Sequence, residues 1–264
     1  MGAAILRFVP RHWFLTPRWI LAAFAIVVVS ATCIRLGIWQ LDRLDQRRAF
    51  NAQVQRGRSA QPVPVRTVLP AGRPSDVEAT AYRRVHAGGA YQADREIVLF
   101  GRTLDGRPGN HLLTPLELPN GDILVVDRGW VPIELDTPPV DEAAPPRGTV
   151  ELTGVLVPSE DGPGPDGTGT VGSIDVDAIG RALGETTLPM YLQLEEQSPP
   201  QGALPEPVGL PPLTEGPHLS YAVQWFIFAS IALIGFAVLV RKTAREQRGA
   251  GRSAADRDAQ VPSA

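Results

Sequence analysis

Two apolar runs, one near each end of the chain, constrain the fold more than any other feature. The first, WILAAFAIVVVSATCIRLGIW, covers residues 19–39, and the second covers residues 221–240. About 20 helical residues rise roughly 30 Å, which is the thickness of the hydrocarbon core of a bilayer. Tryptophans at both ends of the first run match the aromatic belts at membrane interfaces. The sequence therefore predicts a membrane protein with two transmembrane helices, at 19–39 and 221–240.

A cleaved signal peptide is the alternative for the first run, because three arginines precede it. Its SATC segment (30–33) also resembles a lipoprotein cleavage site, but no leucine stands three residues before Cys33. The apolar character continues beyond Cys33 to Trp39 without a break of small residues. We therefore expect an uncleaved span, in which Cys33 is an inert residue that faces lipid or a helix.

Basic residues predict the orientation of the two spans. Residues 1–34 contain three arginines and no acids, and residues 241–264 contain six basic and three acidic residues. Cytoplasmic flanks of membrane spans are enriched in Lys and Arg, so both termini are expected in the cytoplasm of a multi-pass cell-membrane protein. Residues 35–240 contain 16 basic and 25 acidic residues, a net charge of −9 that argues against binding to nucleic acid. We expect a cytoplasmic segment at 1–18, an extracytoplasmic domain at 40–220, and a disordered cytoplasmic tail at 241–264.

Strand patterns dominate the segment between the spans. Residues 40–57 have helix-forming composition and extend the first helix, whereas the later runs are apolar or β-branched and are bounded by turn residues. Their regular spacing favours a mainly antiparallel sheet that closes into a small barrel or a sandwich. One short helix is expected over 175–184, with Asp175 as its N-cap and Gly184 just past its end. Repeated prolines over 199–217 predict an extended, semi-rigid return linker. The predicted strands are 82–91, 96–102, 109–118, 122–132, 150–157 and 190–197.

The middle domain carries no motif typical of an enzyme. It has no Gly-x-Ser-x-Gly elbow and no His-x-x-x-His pair, and GTGTVG (167–172) lacks the preceding strand of a dinucleotide-binding turn. His86 and His111 lie in predicted strands, where a partly buried structural role is favoured over catalysis. The lone cysteine excludes an internal disulfide and a cysteine-based metal site. We therefore expect a protein that is not an enzyme.

The segment VDRGWVP (126–132) places Arg128 at the end of an apolar strand that Pro132 terminates. A guanidinium binds carboxylates bidentately, so the candidate partners of Arg128 are a neighbouring acid and a propionate of a bound ligand. The alternative is a structural arginine that closes the strand end.

Four blocks, together with both apolar runs, resemble the Surfeit locus protein 1 family, the cytochrome oxidase assembly factors of mitochondria and bacteria. In chain order they are LGIWQLDR (36–43), GNHLLTPLELPNGDILVVDRGWVP (109–132), DVDAIGRALG followed by YLQLEEQ (175–197), and HLSYAVQWFIFA (218–229). The similarity covers nearly the whole chain. The RGWVP and HLSYAVQWF segments are specific when they occur together between two spans.

This resemblance implies a role in the assembly of a haem-a-type cytochrome c oxidase. Bacterial members look like haem a binders, so haem a is the implied cofactor, and the histidine that opens the second span, here His218, is the implied iron ligand. The implied partners are the membrane, haem a synthase, and the catalytic subunit of the oxidase, to which haem a is delivered or in which it is retained. A non-haem scaffold or accessory protein, associated with the oxidase or with a respiratory supercomplex, is the alternative.

The residues around His218 leave two interpretations open. Pro217 fits the first position of a helix, which puts His218 in the first turn, where the helix dipole favours the neutral imidazole that binds iron. Tyr221, Trp225 and Phe228 follow His218 at i+3, i+7 and i+10, so they share its helix face. Such a face offers an iron ligand and, through Tyr221 and Trp225, flat apolar surface for a macrocycle. Alternatively, the aromatic residues belong to the interfacial belt and His218 meets lipid headgroups; the resemblance favours haem.

Overall fold

The computed structural model describes residues 13–70 and 77–259, which fall into two compact units. A helical unit contains the described residues up to Ala49 and from Thr214 onward, and a sheet domain contains Phe50–Leu213. The helices are α1 (Pro17–Ser59), α2 (Val65–Val68), α3 (Val77–Thr80), α4 (Val176–Leu183) and α5 (His218–Ala259). The strands are β1 (Val63–Pro64), β2 (Arg84–Tyr91), β3 (Ile97–Leu104), β4 (Arg107–Glu117), β5 (Ile123–Pro132), β6 (Thr149–Pro158), β7 (Thr170–Val171) and β8 (Met190–Ser198).

The two long helices, α1 and α5, are each long and apolar enough to cross a membrane. Within the most apolar 18-residue stretch of each helix, only 17% of the residues of α1 and 6% of those of α5 are buried. A core helix of a soluble protein is mostly buried. The predicted spans, 19–39 and 221–240, lie inside these helices. As the composition of 40–57 indicated, α1 continues beyond the first apolar run, and it ends at Ser59.

The C-terminal helix extends well beyond the second apolar run. Residues 241–259 are helical, where we expected a disordered tail, and the expected cytoplasmic segment at 1–18 lies mostly outside the described residues. Alanine and arginine, which are strong helix formers, are frequent in this stretch, and the first proline after the start of α5 is Pro262. No residue within 241–259 therefore forces the helix to end.

The helices α1 and α5 pack against each other as an antiparallel pair. A Cβ atom on Gly37 would lie 2.8 Å from the ring of Phe226, so the absence of a side chain at Gly37 admits this ring. Nearer the other end of the pair, the rings of Trp19 and Phe236 lie 6.3 Å apart. Cys33 is a free, buried thiol on α1. A glycine that admits a ring and a pair of aromatic rings therefore form part of the contact between α1 and α5.

Eight strands form a single mixed sheet within the described residues, in the order β1-β2-β6-β8-β5-β4-β3-β7. A further pairing joins β2 to β4, so that β2, β6, β8, β5 and β4 make a closed ring of pairings. Five of the eight pairings are antiparallel. The other three, β1–β2, β3–β7 and β5–β8, are parallel. The sheet is thus mainly antiparallel, as predicted, but the parallel pairings were not foreseen.

The short helix α4 has the boundaries that its sequence predicts. The Asp175 carboxylate accepts a hydrogen bond from the N–H of Ala178 at 2.8 Å, and this bond caps the first turn. Gly184 adopts a left-handed conformation with φ 69°, which ends the helix. Val176 and Ile179 are buried in a cluster with residues of β3, so α4 covers part of the sheet.

The proline-rich return linker is bonded to β5 rather than free. The N–H of Trp130 donates to the carbonyl of Glu206 at 2.8 Å, and the N–H of Glu206 donates back to the carbonyl of Trp130 at 2.7 Å. Arg107 holds the Glu206 carboxylate with two hydrogen bonds of 2.8 and 2.7 Å. Gly129, with φ 131°, permits this approach, because a Cβ atom there would lie 2.3 Å from the carbonyl oxygen of Glu206.

Candidate functional site

The start of α5 places His218 in the first helical turn, as the sequence predicts. The N–H of Tyr221 donates to the carbonyl of Pro217 at 3.2 Å, and the Ser220 hydroxyl donates to the same carbonyl at 2.7 Å. Pro217 therefore lies one residue before the first helical position instead of occupying it. Gly216, with φ 69°, makes the turn that leads into the helix.

The imidazole of His218 is half-buried and is in contact with α1. Its Nδ1 atom lies 2.9 Å from Oε1 of Gln40, the first residue after Trp39. Its Nε2 atom has no hydrogen-bonding partner among the described residues. The nearest small residue is Gly216, where a Cβ atom would lie 3.5 Å from Nε2, so the absence of a side chain leaves this nitrogen open. His218 thus has one anchored and one available ring nitrogen.

The aromatic residues that share the face of His218 are accessible. Tyr221 and Phe228 are 47% and 44% exposed, and Trp225 is partly buried. The rings of Trp225 and Phe228 lie 5.9 Å apart in an edge-to-face arrangement. A single imidazole with a free Nε2, followed by exposed flat apolar surface, is a donor set that fits one axial position of a porphyrin iron.

Arginines of α1 lie beyond Gln40, and sequence reasoning did not single them out. Arg48 forms a bidentate ion pair with Glu215, at 2.9 and 3.0 Å, and this bond holds the pKa of the Glu215 carboxyl below its usual value. Arg43, one turn beyond Gln40, carries an exposed guanidinium that lies 5.7 Å from the ring of Trp39 and donates to Gln46. Arg43 belongs to the block LGIWQLDR (36–43), and its place just after the first apolar run was the sequence signal that could have identified it.

Arg128 belongs to the sheet domain and is completely buried there. Its Nη1 donates to the Glu96 carboxylate at 3.0 Å, and its Nη2 donates to the carbonyl of Ala143 at 2.8 Å. Glu96 also accepts hydrogen bonds from the N–H of Val140 at 2.9 Å and from the Thr114 hydroxyl at 3.1 Å. Burial raises the pKa of the Glu96 carboxyl, and these hydrogen bonds oppose that effect.

Of the two carboxylate partners considered for Arg128, the structure contains the neighbouring acid. The side chains of Arg128 and Glu96 are 0% and 1% exposed, so a propionate reaches the guanidinium only if this pair opens. His218, Tyr221 and Trp225 lie in the helical unit, whereas Arg128 closes a structural network in the sheet domain. The propionate interpretation of Arg128 stays a prediction.

The two histidines of the sheet domain differ from each other. His111 is buried, and its Nδ1 lies 2.8 Å from Oδ2 of Asp127. Its structural role stays a prediction. His86 is exposed on β2, where we expected partial burial, because its side chain alternates outward between buried Val85 and Ala87. Within the described part of the chain, no group of three or more His, Cys, Asp or Glu residues is arranged to hold a metal ion.

Comparison with known proteins supports the family resemblance that the four sequence blocks indicated. The model of the SURF1 family matches residues 27–230. A SURF1-like protein of Mycobacterium tuberculosis is 33% identical over 254 residues, which cover 91% of this chain and 92% of that protein. A SURF1-like protein of Monosiga brevicollis is 26% identical over 83% of this chain and 87% of its own length. Surfeit locus protein 1 of Rattus norvegicus is 24% identical over 83% of this chain and 76% of its own length. The chain belongs to the SURF1 family.

Proposed function

We propose that the chain is a membrane-anchored assembly factor for a haem-a-type cytochrome c oxidase. In this proposal it binds haem a through His218 and assists delivery of haem a to the catalytic subunit, or its retention there. The observation that carries the proposal is the free Nε2 of His218 beside the exposed aromatic face of α5. Family membership supports the assembly role, and the geometry at His218 supports the haem.

Each residue of the site has a distinct task in this proposal. When bound, haem a would supply an iron, and the neutral Nε2 of His218 would hold that iron. Tyr221 and Trp225 offer apolar ring surface to the macrocycle. The exposed guanidinium of Arg43 is the candidate partner of a propionate, because Arg128 is already paired with Glu96.

We also propose that α1 and α5 cross the cell membrane with both termini in the cytoplasm, which leaves 40–220 extracytoplasmic. A reporter that works only in the cytoplasm is expected to be active when it is fused after residue 264. A reporter that works only outside the cytoplasm is expected to be active when it is inserted in the exposed β4–β5 turn at Asn120–Gly121. The basis is the arginine asymmetry of the two spans. Both reporters active on the same side of the membrane would contradict the two-span topology.

Deletion of the gene is expected to remove much of the haem-a-type oxidase activity while haem a synthesis continues. The measurements are cytochrome c oxidation by membranes and the haem a content of whole-cell extracts. Complementation with the wild-type chain should restore the activity, and complementation with His218→Ala should restore little of it. Full recovery with His218→Ala would favour the non-haem scaffold, and normal oxidase activity in the deletion strain would remove the assembly role.

A further inference from the structure

The hydrogen bond between His218 and Gln40 joins two residues that are 178 positions apart in the chain. Gln40 lies on α1 directly after the first apolar run, and His218 opens α5. Both side chains are partly buried, and both belong to the helical unit. The packing of α1 on α5 therefore determines whether this bond forms.

The identity of the two bonded atoms determines the tautomer of the imidazole. With the Gln40 amide oriented as it is in the structure, Oε1 accepts the hydrogen bond, which places the hydrogen on Nδ1 of His218. In a neutral imidazole the lone pair that can bind a metal is then on Nε2. Histidines that bind metals are held in the same way, by a polar group that accepts a hydrogen bond from the other ring nitrogen.

The surroundings of Nε2 are consistent with this assignment. Nε2 has no hydrogen-bonding partner among the described residues, whereas Nδ1 is anchored at 2.9 Å. Gly216 has no side chain to cover Nε2, and its φ of 69° disfavours any other residue at this position. One nitrogen is thus fixed and the other is left open by the local backbone.

We propose that Gln40 is a positioning residue for His218: it holds the imidazole in the Nδ1–H tautomer and orients Nε2 toward a ligand iron. The proposal rests on the proposed haem site, but its first consequence, the tautomer, exists without haem. Such an outer partner fixes the ring orientation of a ligating histidine, which is the role assigned to Gln40.

The tautomer is measured by ¹⁵N NMR on the full chain, labelled at histidine and reconstituted in nanodiscs without haem. We expect His218, assigned by comparison with His218→Ala, to show the Nδ1–H pattern, and Gln40→Leu to lose it. His111, with its Nδ1 beside Asp127, provides an internal reference. An Nε2–H pattern in the wild-type chain, or no change in Gln40→Leu, would overturn the proposal whether or not the protein binds haem.

Titration with purified haem a tests the consequence for binding. Gln40→Leu is expected to weaken haem a binding about 10- to 100-fold, as loss of such an outer partner does in other metal sites. Gln40→Glu, in contrast to Gln40→Leu, is expected to bind haem a as the wild type does. Its haem should have a more negative reduction potential, because a carboxylate accepts the Nδ1 hydrogen more strongly than an amide does. Gln55→Leu, which changes an exposed glutamine of the same helix that donates to Ser59, is the matched control and should match the wild type.

The outcomes separate this proposal from the proposed function. If His218→Ala loses haem a but both Gln40 variants bind it with wild-type affinity and potential, the positioning role is excluded while the haem site stands. If the wild-type chain binds no haem a, the haem function is excluded, and the tautomer measurement still decides the role of Gln40.

Discussion

Replacement of His218 by alanine is expected to strip most of the haem a from the purified protein and to leave the amount of protein in the membrane nearly unchanged. The free Nε2 of His218 is the proposed axial ligand, and alanine offers the iron no donor. The imidazole is only partly buried and makes one side-chain hydrogen bond, to Gln40, so its removal leaves the helical unit largely intact. The measurements are haem a per chain, from the absorption spectrum, and the protein level in isolated membranes.

The matched control for His218→Ala is His86→Ala, which removes an exposed histidine from the sheet domain. This control is expected to keep its full complement of haem a. A His218→Ala protein with wild-type haem content and an unaltered spectrum would show that the iron is held elsewhere. Loss of the protein from the membrane would instead assign His218 a structural role.

Replacement of Arg128 by leucine is expected to destabilise the sheet domain by about 3–5 kcal/mol, the usual effect of removing one partner of a buried ion pair. The substitution leaves the Glu96 carboxylate in an apolar interior with no counter-ion, and it leaves the Ala143 carbonyl without its donor. The free energy of unfolding is measured by urea titration of the full chain in detergent. Hydrogen exchange of the β3 and β5 amides locates the change in the sheet domain.

Two further variants show whether the destabilisation of Arg128→Leu comes from the loss of the buried ion pair. The matched control is Arg95→Leu, because Arg95 forms an exposed ion pair with Glu185 at 3.1 Å, and such pairs contribute only about 0–1 kcal/mol. The double variant Arg128→Met/Glu96→Leu removes both charges and is expected to recover much of the stability. A loss below about 1 kcal/mol in Arg128→Leu would show that the pair does not support the domain.

Local patterns in the sequence were sufficient for the elements of the fold. The apolar and β-branched residues of 82–91 predicted β2, and Asp175 and Gly184 predicted the two caps of α4. The two apolar runs predicted the cores of α1 and α5. These signals are local because hydrogen bonds of helices and the alternation of strands depend on neighbouring residues.

Local patterns did not predict which strands pair. The two-residue strands β1 and β7 are too short to show a period, and the parallel pairing of β5 with β8 joins Val126 to Leu192, 66 positions later in the chain. The binding of the return linker to β5 depends on Gly129 and on the pair formed by Arg107 and Glu206. Each of these contacts joins separate segments of the chain, so the pattern of neighbouring residues carries no signal for it.

The candidate site was also predictable only in part from the sequence. The sequence by itself determined that His218 opens a helix and shares a face with Tyr221 and Trp225, because helical spacing is a local property. It also restricted Arg128 to a carboxylate partner or a structural role, since a guanidinium requires acceptors. Only the tertiary structure decided that Glu96 is that partner and that Gln40 holds Nδ1 of His218. Both contacts join residues far apart in the chain, and their formation depends on how the separate elements pack.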